Sequence, residues 1–217
     1  MEGTGVGHSM KYLNINIITI LASVVLLIAC TKSPLSKDEM IEYIMKEANG
    51  LNKIHENNGY KIRLTYRPND MIVLQDIRSE EKITKEILEK AKKNYSNYAY
   101  FILELSYQDQ EIINKGLSNP NVYGNMIEQL AFGMHDLASI VTSTKDTVPL
   151  ADCIFIRMFG MTGSNTLMLV FNNEKINQSE SFDLILKDNG FGYGYNKFNF
   201  LTKDINKVPE LNFEFYK

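Results

Sequence analysis

The sequence has few of the residues that build metal sites, disulfide scaffolds or nucleic-acid surfaces. It has three histidines in 217 residues, and His55 and His135 stand far apart with no HExxH or CxxC spacing. We therefore predict no metal site and no cofactor. The formal net charge is −3, and no basic excess favours nucleic acid as a partner. Only two cysteines are present, which excludes a disulfide-rich scaffold.

Long apolar runs are also lacking. The segment 17–29 is apolar but is interrupted by Thr19 and Ser23, so it falls short of the roughly 20 apolar residues that a spanning helix needs. Lys11 precedes the segment, and the run Leu27-Ile28-Ala29-Cys30 closes it. A basic start, a short apolar centre and small residues at the cleavage point are the parts of a secretory signal. A simple transmembrane anchor is the alternative interpretation.

The closing run resembles the lipobox of bacterial lipoproteins. In that family the signal peptide is cut before the cysteine, whose sulfur carries a diacylglycerol and whose new amino group is usually acylated. The resemblance implies lipidation of Cys30, a signal peptide over residues 1–29, and a lipidated cysteine with a short linker over residues 30–35. Met10 is expected to be the start of translation, which makes residues 1–9 an upstream extension.

The residue after Cys30 bears on the location of the protein. In proteobacterial lipoproteins an aspartate at that position favours retention in the inner membrane, and this chain has Thr31 instead. We therefore expect a protein that its lipid anchor attaches to the outer membrane. Whether the folded domain faces the periplasm or the cell surface stays open at this point.

Cys153 has no partner within the chain if Cys30 carries lipid. It lies in the aliphatic and aromatic run 153–159, with no adjacent histidine or basic cluster to lower the pKa of its thiol. We expect it to pack as a small buried hydrophobic residue and not to act as a reactive thiol.

Helical and hairpin patterns dominate the first half of the chain beyond the linker. Ser36 and Glu39 have the spacing of a capping box, and apolar residues at helical spacing predict a helix over residues 37–49. The dipeptide Asn58-Gly59 predicts a tight turn between two antiparallel strands. The other elements predicted in this half are strands over 51–57, 60–67 and 98–107, helices over 70–78 and 81–94, and helical turns over 109–115.

Glycine, proline and asparagine separate shorter apolar runs after residue 119, at the spacing expected of an antiparallel sheet. The segment 130–140 also fits a helical period, but we favour strands there. The expected fold class is α+β, a single domain over residues 36–217 with helices mainly in the N-terminal half and an antiparallel sheet or sandwich in the C-terminal half. The strands predicted in this half are residues 128–134, 137–142, 152–159, 166–171, 181–187, 195–202 and 211–216.

The stretch Gly190-Phe-Gly-Tyr-Gly194 is the most conspicuous local motif. It is not GxGxxG, and an alternating strand pattern follows it, whereas a phosphate-binding loop would be followed by a helix. One interpretation is a flexible turn between strands. The functional interpretation is an exposed binding loop, because Phe191, Tyr193 and Tyr195 offer aromatic rings of the kind enriched at binding surfaces. We predict no catalytic residues.

Short motifs elsewhere extend the resemblance. Tyr66-Arg-Pro-Asn-Asp70, Lys145-Asp-Thr-Val-Pro149 and Lys203-Asp-Ile205 resemble segments of uncharacterised outer-membrane lipoproteins from Bacteroidota. The resemblance implies a location and no activity. We expect a membrane-anchored binding or accessory module, not an enzyme, with an envelope protein or a glycan as its partner. The alternatives are an envelope enzyme acting on glycan, peptide or lipid, and an immunity lipoprotein that neutralises a toxin.

Overall fold

In the part of the chain that the structure describes, nine antiparallel strands form one curved sheet. The computed structural model describes residues 33–80, 82–157, 162–188 and 190–216, so Cys30 and the predicted signal peptide lie outside the described residues. The chain divides into two units, Met1–Pro34 and Leu35–Lys217, and all elements named below belong to the second. The strands are β1 (Asn52–Asn57), β2 (Tyr60–Arg67), β3 (Tyr98–Tyr107), β4 (Gln110–Glu111), β5 (Ala138–Thr142), β6 (Thr147–Ile156), β7 (Asn165–Asn172), β8 (Ser181–Leu186) and β9 (Asn196–Leu201).

Helices are distributed along the whole described chain and lie between the strands. The α-helices are α1 (Lys37–Met45), α2 (Asn69–Ile77), α3 (Lys85–Tyr95), α4 (Pro120–Phe132), α5 (Met134–Leu137), α6 (Glu174–Asn177) and α7 (Thr202–Asn206). Short 3₁₀ helices occupy Glu47–Asn49, Ile112–Gly116 and Phe213–Tyr216. Across the described ranges, no helix has the length and apolar character needed to cross a bilayer.

The strand order in the sheet is β1-β2-β3-β7-β6-β5-β8-β9, and the short β4 pairs with β3. Strand β6 belongs to two parts of this sheet. Its residues Thr147 to Pro149 pair with β5, whereas from Leu150 onward it pairs with β7. The register shifts between Leu150 and Asp152, and such a bulge bends a strand and increases its twist. Because β6 bends here, the sheet curves and its two edges, β1 and β9, approach each other.

The two edge strands, β1 and β9, meet through side chains and bring the sheet close to a closed barrel. The ring of His55 stacks on Phe198 with centroids 4.1 Å apart, and its Nδ1 lies 3.1 Å from Oδ1 of Asn196. Lys53 places its ammonium 5.6 Å from the centroid of the Phe200 ring. These contacts cover the edges, which otherwise present unpaired backbone groups.

Aromatic side chains fill the inside of the curved sheet. Alternate residues of β3 point inward, and the fully buried Phe101 lies at the centre. Its ring contacts Phe171, Phe182 and Phe200 at centroid distances of 6.0, 6.0 and 5.3 Å. The partners come from β7, β8 and β9, so one ring connects strands that are far apart in sequence. Edge-to-face pairs of this kind add to the free energy that burial alone contributes.

The predicted fold class is wrong in its arrangement. The structure is a nearly closed, barrel-like antiparallel sheet with helices scattered around it, and not a helical N-terminal half beside a C-terminal sheet or sandwich. Strands β1 to β3 lie in the first half of the chain, yet β3 pairs along its length with β7 from the second half. The two strands pair in this register because it places the apolar residues of both strands on the inner face, where they share one core.

Two predicted strands are absent at their positions. Residues 128–132 belong to α4, which begins after the N-cap Asn119 with Pro120 in its first turn, and Met134 is the first residue of α5. Leu130 and Met134, four residues apart, are both fully buried, so the helical period that we set aside is the correct one. The predicted strand 211–216 is also wrong, because Leu211 makes a single bridge to Leu35 and a 3₁₀ helix follows.

Several local predictions are confirmed. The capping box is present, since the backbone N–H of Ser36 donates to Oε2 of Glu39 at 2.8 Å and Ser36 Oγ accepts from the backbone of Glu39 at 3.4 Å. The hairpin between β1 and β2 turns at Asn58 and Gly59, both with positive φ. The strands predicted over 98–107, 166–171, 181–187 and 195–202 are found within one residue at each end.

Candidate functional site: a tyrosine-lined groove

The outer face of the sheet carries a row of aromatic, apolar and acidic side chains. Along β3, β7 and β6 these residues alternate with the core residues, because successive side chains of a strand point to opposite faces. Tyr100 pairs with Val170, and Val170 pairs with Asp152. In the next row Met168 pairs with Ile154. The register therefore brings side chains from three strands together on one surface.

Helices α2 and α3 stand beside this surface and make it a groove. Asn69, the first residue of α2, donates through Nδ2 to the carbonyl oxygens of Tyr95 and Tyr98 at 2.8 and 3.2 Å. These bonds hold the end of α3 and the start of β3 next to α2. The groove has a volume of about 580 Å³, within the range of ligand sites. We call it the tyrosine groove, and its lining consists of Ile72, Gln75, Asp76, Asn94, Tyr95, Tyr98, Tyr100, Ala151, Asp152, Ile154, Met168 and Val170.

Three tyrosine rings form a continuous aromatic surface in the groove. The ring centroids of Tyr95 and Tyr100 are 6.2 Å apart, and those of Tyr98 and Tyr100 are 6.5 Å apart. Tyr100 is only 4% exposed, whereas Tyr98 is 37% and Ile154 is 45% exposed. Tyr100 thus forms the floor, while Tyr98 and Ile154 present their apolar surface to an incoming ligand.

The hydroxyls of Tyr95 and Tyr100 are held in the neutral form. Burial raises the pKa of Tyr100 to about 12, with smaller contributions from Tyr95 and Tyr98. Burial also raises the pKa of Tyr95, and the hydrogen bond between its hydroxyl and Asp76 adds to the shift. At neutral pH these phenols therefore remain donors, and their rings remain uncharged.

The two aspartates of the groove are not part of the ion pairs that five other acidic residues of the domain form. Glu56, Asp146 and Asp183 each lie 2.8 Å from a lysine Nζ, and Glu104 and Asp70 also have basic partners. Within the described ranges, neither Asp76 nor Asp152 takes part in any of these ion pairs. Asp152 accepts a hydrogen bond from the backbone N–H of Cys153 at 2.8 Å. Both aspartates are exposed, so they can accept further hydrogen bonds from a ligand.

Cys153 points away from the groove and packs against the core, as the sequence predicts. Burial raises the pKa of its thiol to about 12, and the negative charge of Asp152 adds to the shift. The thiolate is the nucleophilic form of cysteine. Cys153 therefore contributes packing and no nucleophile at neutral pH.

Two of the three aromatic rings of the predicted binding loop are buried. Phe191 is 2% and Tyr193 is 6% exposed, and their rings stack with centroids 5.8 Å apart. The prediction that these rings are exposed is wrong, because both fill the core. Tyr195 is 66% exposed, and its role in binding stays a prediction.

Polar contacts hold this loop in place. The carboxylate of Asp188 accepts hydrogen bonds from the backbone N–H groups of Phe191, Gly192 and Gly194 at 2.9 to 3.0 Å. The carbonyl oxygen of Phe191 accepts from the hydroxyl of Tyr60 at 2.9 Å and from Nζ of Lys115 at 2.7 Å. The loop, which connects β8 to β9, is thus held against β2 and against the 3₁₀ helix that follows β4.

The histidines also have structural contacts. His55 on β1 stacks on Phe198 of β9. His135 donates from Nδ1 to the carbonyl oxygen of Leu150 at 3.2 Å. In the part of the chain that the structure describes, no group of three or more histidine, cysteine, aspartate or glutamate side chains could hold a metal ion.

Sequence reasoning did not identify the tyrosine groove. The segment Tyr95-Ser-Asn-Tyr98-Ala-Tyr100 is a visible signal, since three tyrosines within six residues span the end of a helix and the start of a strand. Asp152 and Ile154 lie more than fifty residues further along the chain, and only the β3–β7–β6 register brings them to the same surface.

Comparisons with known proteins add little to this picture. No family model matches the chain, and no curated protein matches it. Among solved structures, a DUF4426 family protein from Pseudomonas aeruginosa matches with 8% sequence identity and a TM-score of 0.34, covering 69% of this chain and 91% of that chain. At this TM-score the likeness carries no argument about fold or function.

Proposed function

We propose that the protein is an outer-membrane lipoprotein, anchored through Cys30, whose folded domain binds a partner in the cell envelope at the tyrosine groove. The observation that carries the binding role is the composition of the groove. Exposed aromatic surface lies there beside two aspartates that form no ion pair with any of the described residues. Aromatic residues are enriched at interface cores, and a few convergent polar groups in a concave site supply specificity.

The anchor part of the proposal depends on the lipobox alone. Each buried methylene contributes about 0.8 kcal/mol to membrane attachment, so one acyl chain holds a protein reversibly while two or more hold it stably. A diacylated Cys30 would therefore be a lasting tether. A binding module on such a tether meets partners that share its membrane.

The anchor is tested by metabolic labelling with an alkyne-bearing fatty acid in a bacterial host, followed by membrane fractionation. The full chain should incorporate the label and sediment with membranes. Cys30→Ser should lose both properties, whereas the control Cys153→Ser should keep both. Label on the Cys30→Ser protein, or its continued sedimentation with membranes, would contradict the anchor.

The binding surface is tested by placing a photo-crosslinking amino acid at position 98 or at position 195 in intact cells. Tyr98 lies in the groove, and Tyr195 is an exposed tyrosine of the predicted loop. We expect a discrete crosslinked adduct from position 98 and none from position 195. Adducts only from position 195 would move the binding surface to the loop, and no adduct from either would count against a stable partner.

A further inference from the structure

The tyrosine groove has the charge and surface chemistry of a site for a positively charged ligand. Asp76 and Asp152 both line it, and its lining includes no lysine, arginine or histidine among the described residues. Arg67 stands opposite Tyr100 across β2 and β3 but does not line the groove. The groove therefore presents negative charge with no positive charge of its own.

The aromatic rings suit the same kind of ligand. The raised pKa values of Tyr95 and Tyr100 keep these two hydroxyls neutral at physiological pH, and the faces of neutral aromatic rings attract cations. Tyr98, the most exposed ring, lies at the rim, where a guanidinium or ammonium group can stack on it. Arginine is the cation most often found in such contacts.

The apolar floor of the groove favours a ligand with long side chains. Ile154, Met168 and Val170 form adjacent rows on the outer face of the sheet. Lysine and arginine lay their methylene stems along apolar surface while the charged end reaches a polar partner. A groove with an apolar floor and acidic groups therefore fits long basic side chains better than a compact inorganic cation.

We infer that the groove binds a basic peptide segment of an envelope protein, with arginine or lysine side chains paired to Asp76 and Asp152 and lying against Tyr98. This inference rests on the proposed binding role and names its ligand class. Charge complementarity selects the peptide over a neutral glycan, because hydroxyl groups would leave both carboxylates without a counter-charge.

The test uses the full chain in detergent and fluorescence anisotropy with two short labelled peptides. The first alternates arginine with leucine, and the second has citrulline, which is uncharged and nearly the same shape, in place of arginine. The arginine peptide should bind, and the citrulline peptide should bind about tenfold more weakly or worse. Raising the salt concentration should weaken the arginine peptide, because ions screen exposed charges.

Variants locate the binding. Asp76→Asn and Asp152→Asn keep an acceptor oxygen but lose the charge, and each should weaken the arginine peptide by about three- to tenfold. The control Asp38→Asn, at an exposed aspartate outside the groove, should have no effect. Tyr98→Ala should also weaken binding, and circular dichroism would verify that all variants are folded.

Three results would overturn the inference: no binding of the arginine peptide, equal binding of the arginine and citrulline peptides, or equal effects of the Asp152→Asn and Asp38→Asn changes. Displacement of the bound peptide by a neutral oligosaccharide, tested with maltoheptaose, would reassign the groove to glycans. None of these results depends on acylation of Cys30 or on crosslinking in cells, so failure here is distinguishable from failure of the proposed function.

Discussion

The Gly192→Ala substitution tests whether the glycine loop, residues 190–194, stabilises the sheet through its contacts with Tyr60 and Lys115. Gly192 has a φ of +91°, a conformation that residues with a side chain rarely adopt. A Cβ atom at this position would also overlap the hydroxyl of Tyr60 and lie 3.3 Å from Nζ of Lys115. Gly190 provides the matched control, because its φ is +88° and a Cβ there would meet nothing within 4 Å.

The two substitutions share one cost and differ in another. Holding alanine at positive φ costs about 1–2 kcal/mol, and this applies to both positions. At Gly192 the displaced Tyr60 also loses its hydrogen bond to the Phe191 carbonyl, which contributes about 1 kcal/mol. We therefore expect Gly192→Ala to lower the free energy of unfolding by about 2–3 kcal/mol and Gly190→Ala by about 1–2 kcal/mol.

Urea unfolding of the full chain, followed by circular dichroism, measures these differences. The decisive measurement uses Tyr60→Phe, which removes the hydroxyl that the new Cβ overlaps. In that background Gly192→Ala should lose most of its extra cost over Gly190→Ala, because only the ring carbon Cζ of residue 60 and Nζ of Lys115 remain near the new Cβ, each at 3.3 Å. If Gly192→Ala and Gly190→Ala cost the same in the wild-type background, or if Tyr60→Phe leaves the extra cost unchanged, the contact with Tyr60 does not fasten the loop.

Two further predictions concern single ionisable groups. With a pKa of about 12, only about one Cys153 thiol in ten thousand is ionised at pH 8, so iodoacetamide should label it slowly in the folded protein and rapidly in urea. Hydrogen bonds from Lys175 and Thr144 hold the pKa of Asp146 below its ordinary 3.8. The ionised Asp146 therefore contributes stability above pH 3.8, and this contribution is lost as the pH falls through the lowered pKa. Asp146→Asn should destabilise the protein near pH 7 and have little effect near pH 2. Urea unfolding midpoints at the two pH values would measure the difference.

Local elements could be predicted because their signals are local. The capping box depends on two side chains three residues apart, Ser36 and Glu39, and both bonds form within the same turn. The hairpin depends on Asn58 and Gly59, whose tolerance of positive φ is a property of those residues. Alternation along β3 separates the core residues from the residues of the outer face in the same way.

Residues 128–134 show why some local patterns mislead. Their apolar residues fit both a helical period and a short buried strand, and periodicity does not separate the two over so few residues. The N-cap at Asn119 and the proline after it lie well upstream. Packing of Leu130 and Met134 in the core, between segments far apart in sequence, favours the helix over a strand.

The glycine loop shows the same limit for a functional motif. When only the neighbouring residues in the sequence are known, aromatic residues between glycines fit an exposed binding loop and a loop packed into the core equally well. Tyr60 and Lys115, which bind the Phe191 carbonyl, come from distant segments. Asp188 is the one local signal, because its carboxylate lies three to six residues before the N–H groups that it accepts from.

Neighbouring residues thus determine the caps, the turns and the alternation of the strands, and the lipobox resemblance predicts attachment at Cys30. These features depend on interactions that span a few residues and are the same in many folds. Which strands pair, which aromatic rings become buried, and where Asp76, Asp152 and the three tyrosines meet depend on contacts between segments far apart in sequence. Those contacts form only when the sheet curves round a shared core, so the groove is a property of the folded chain and of no single segment within it.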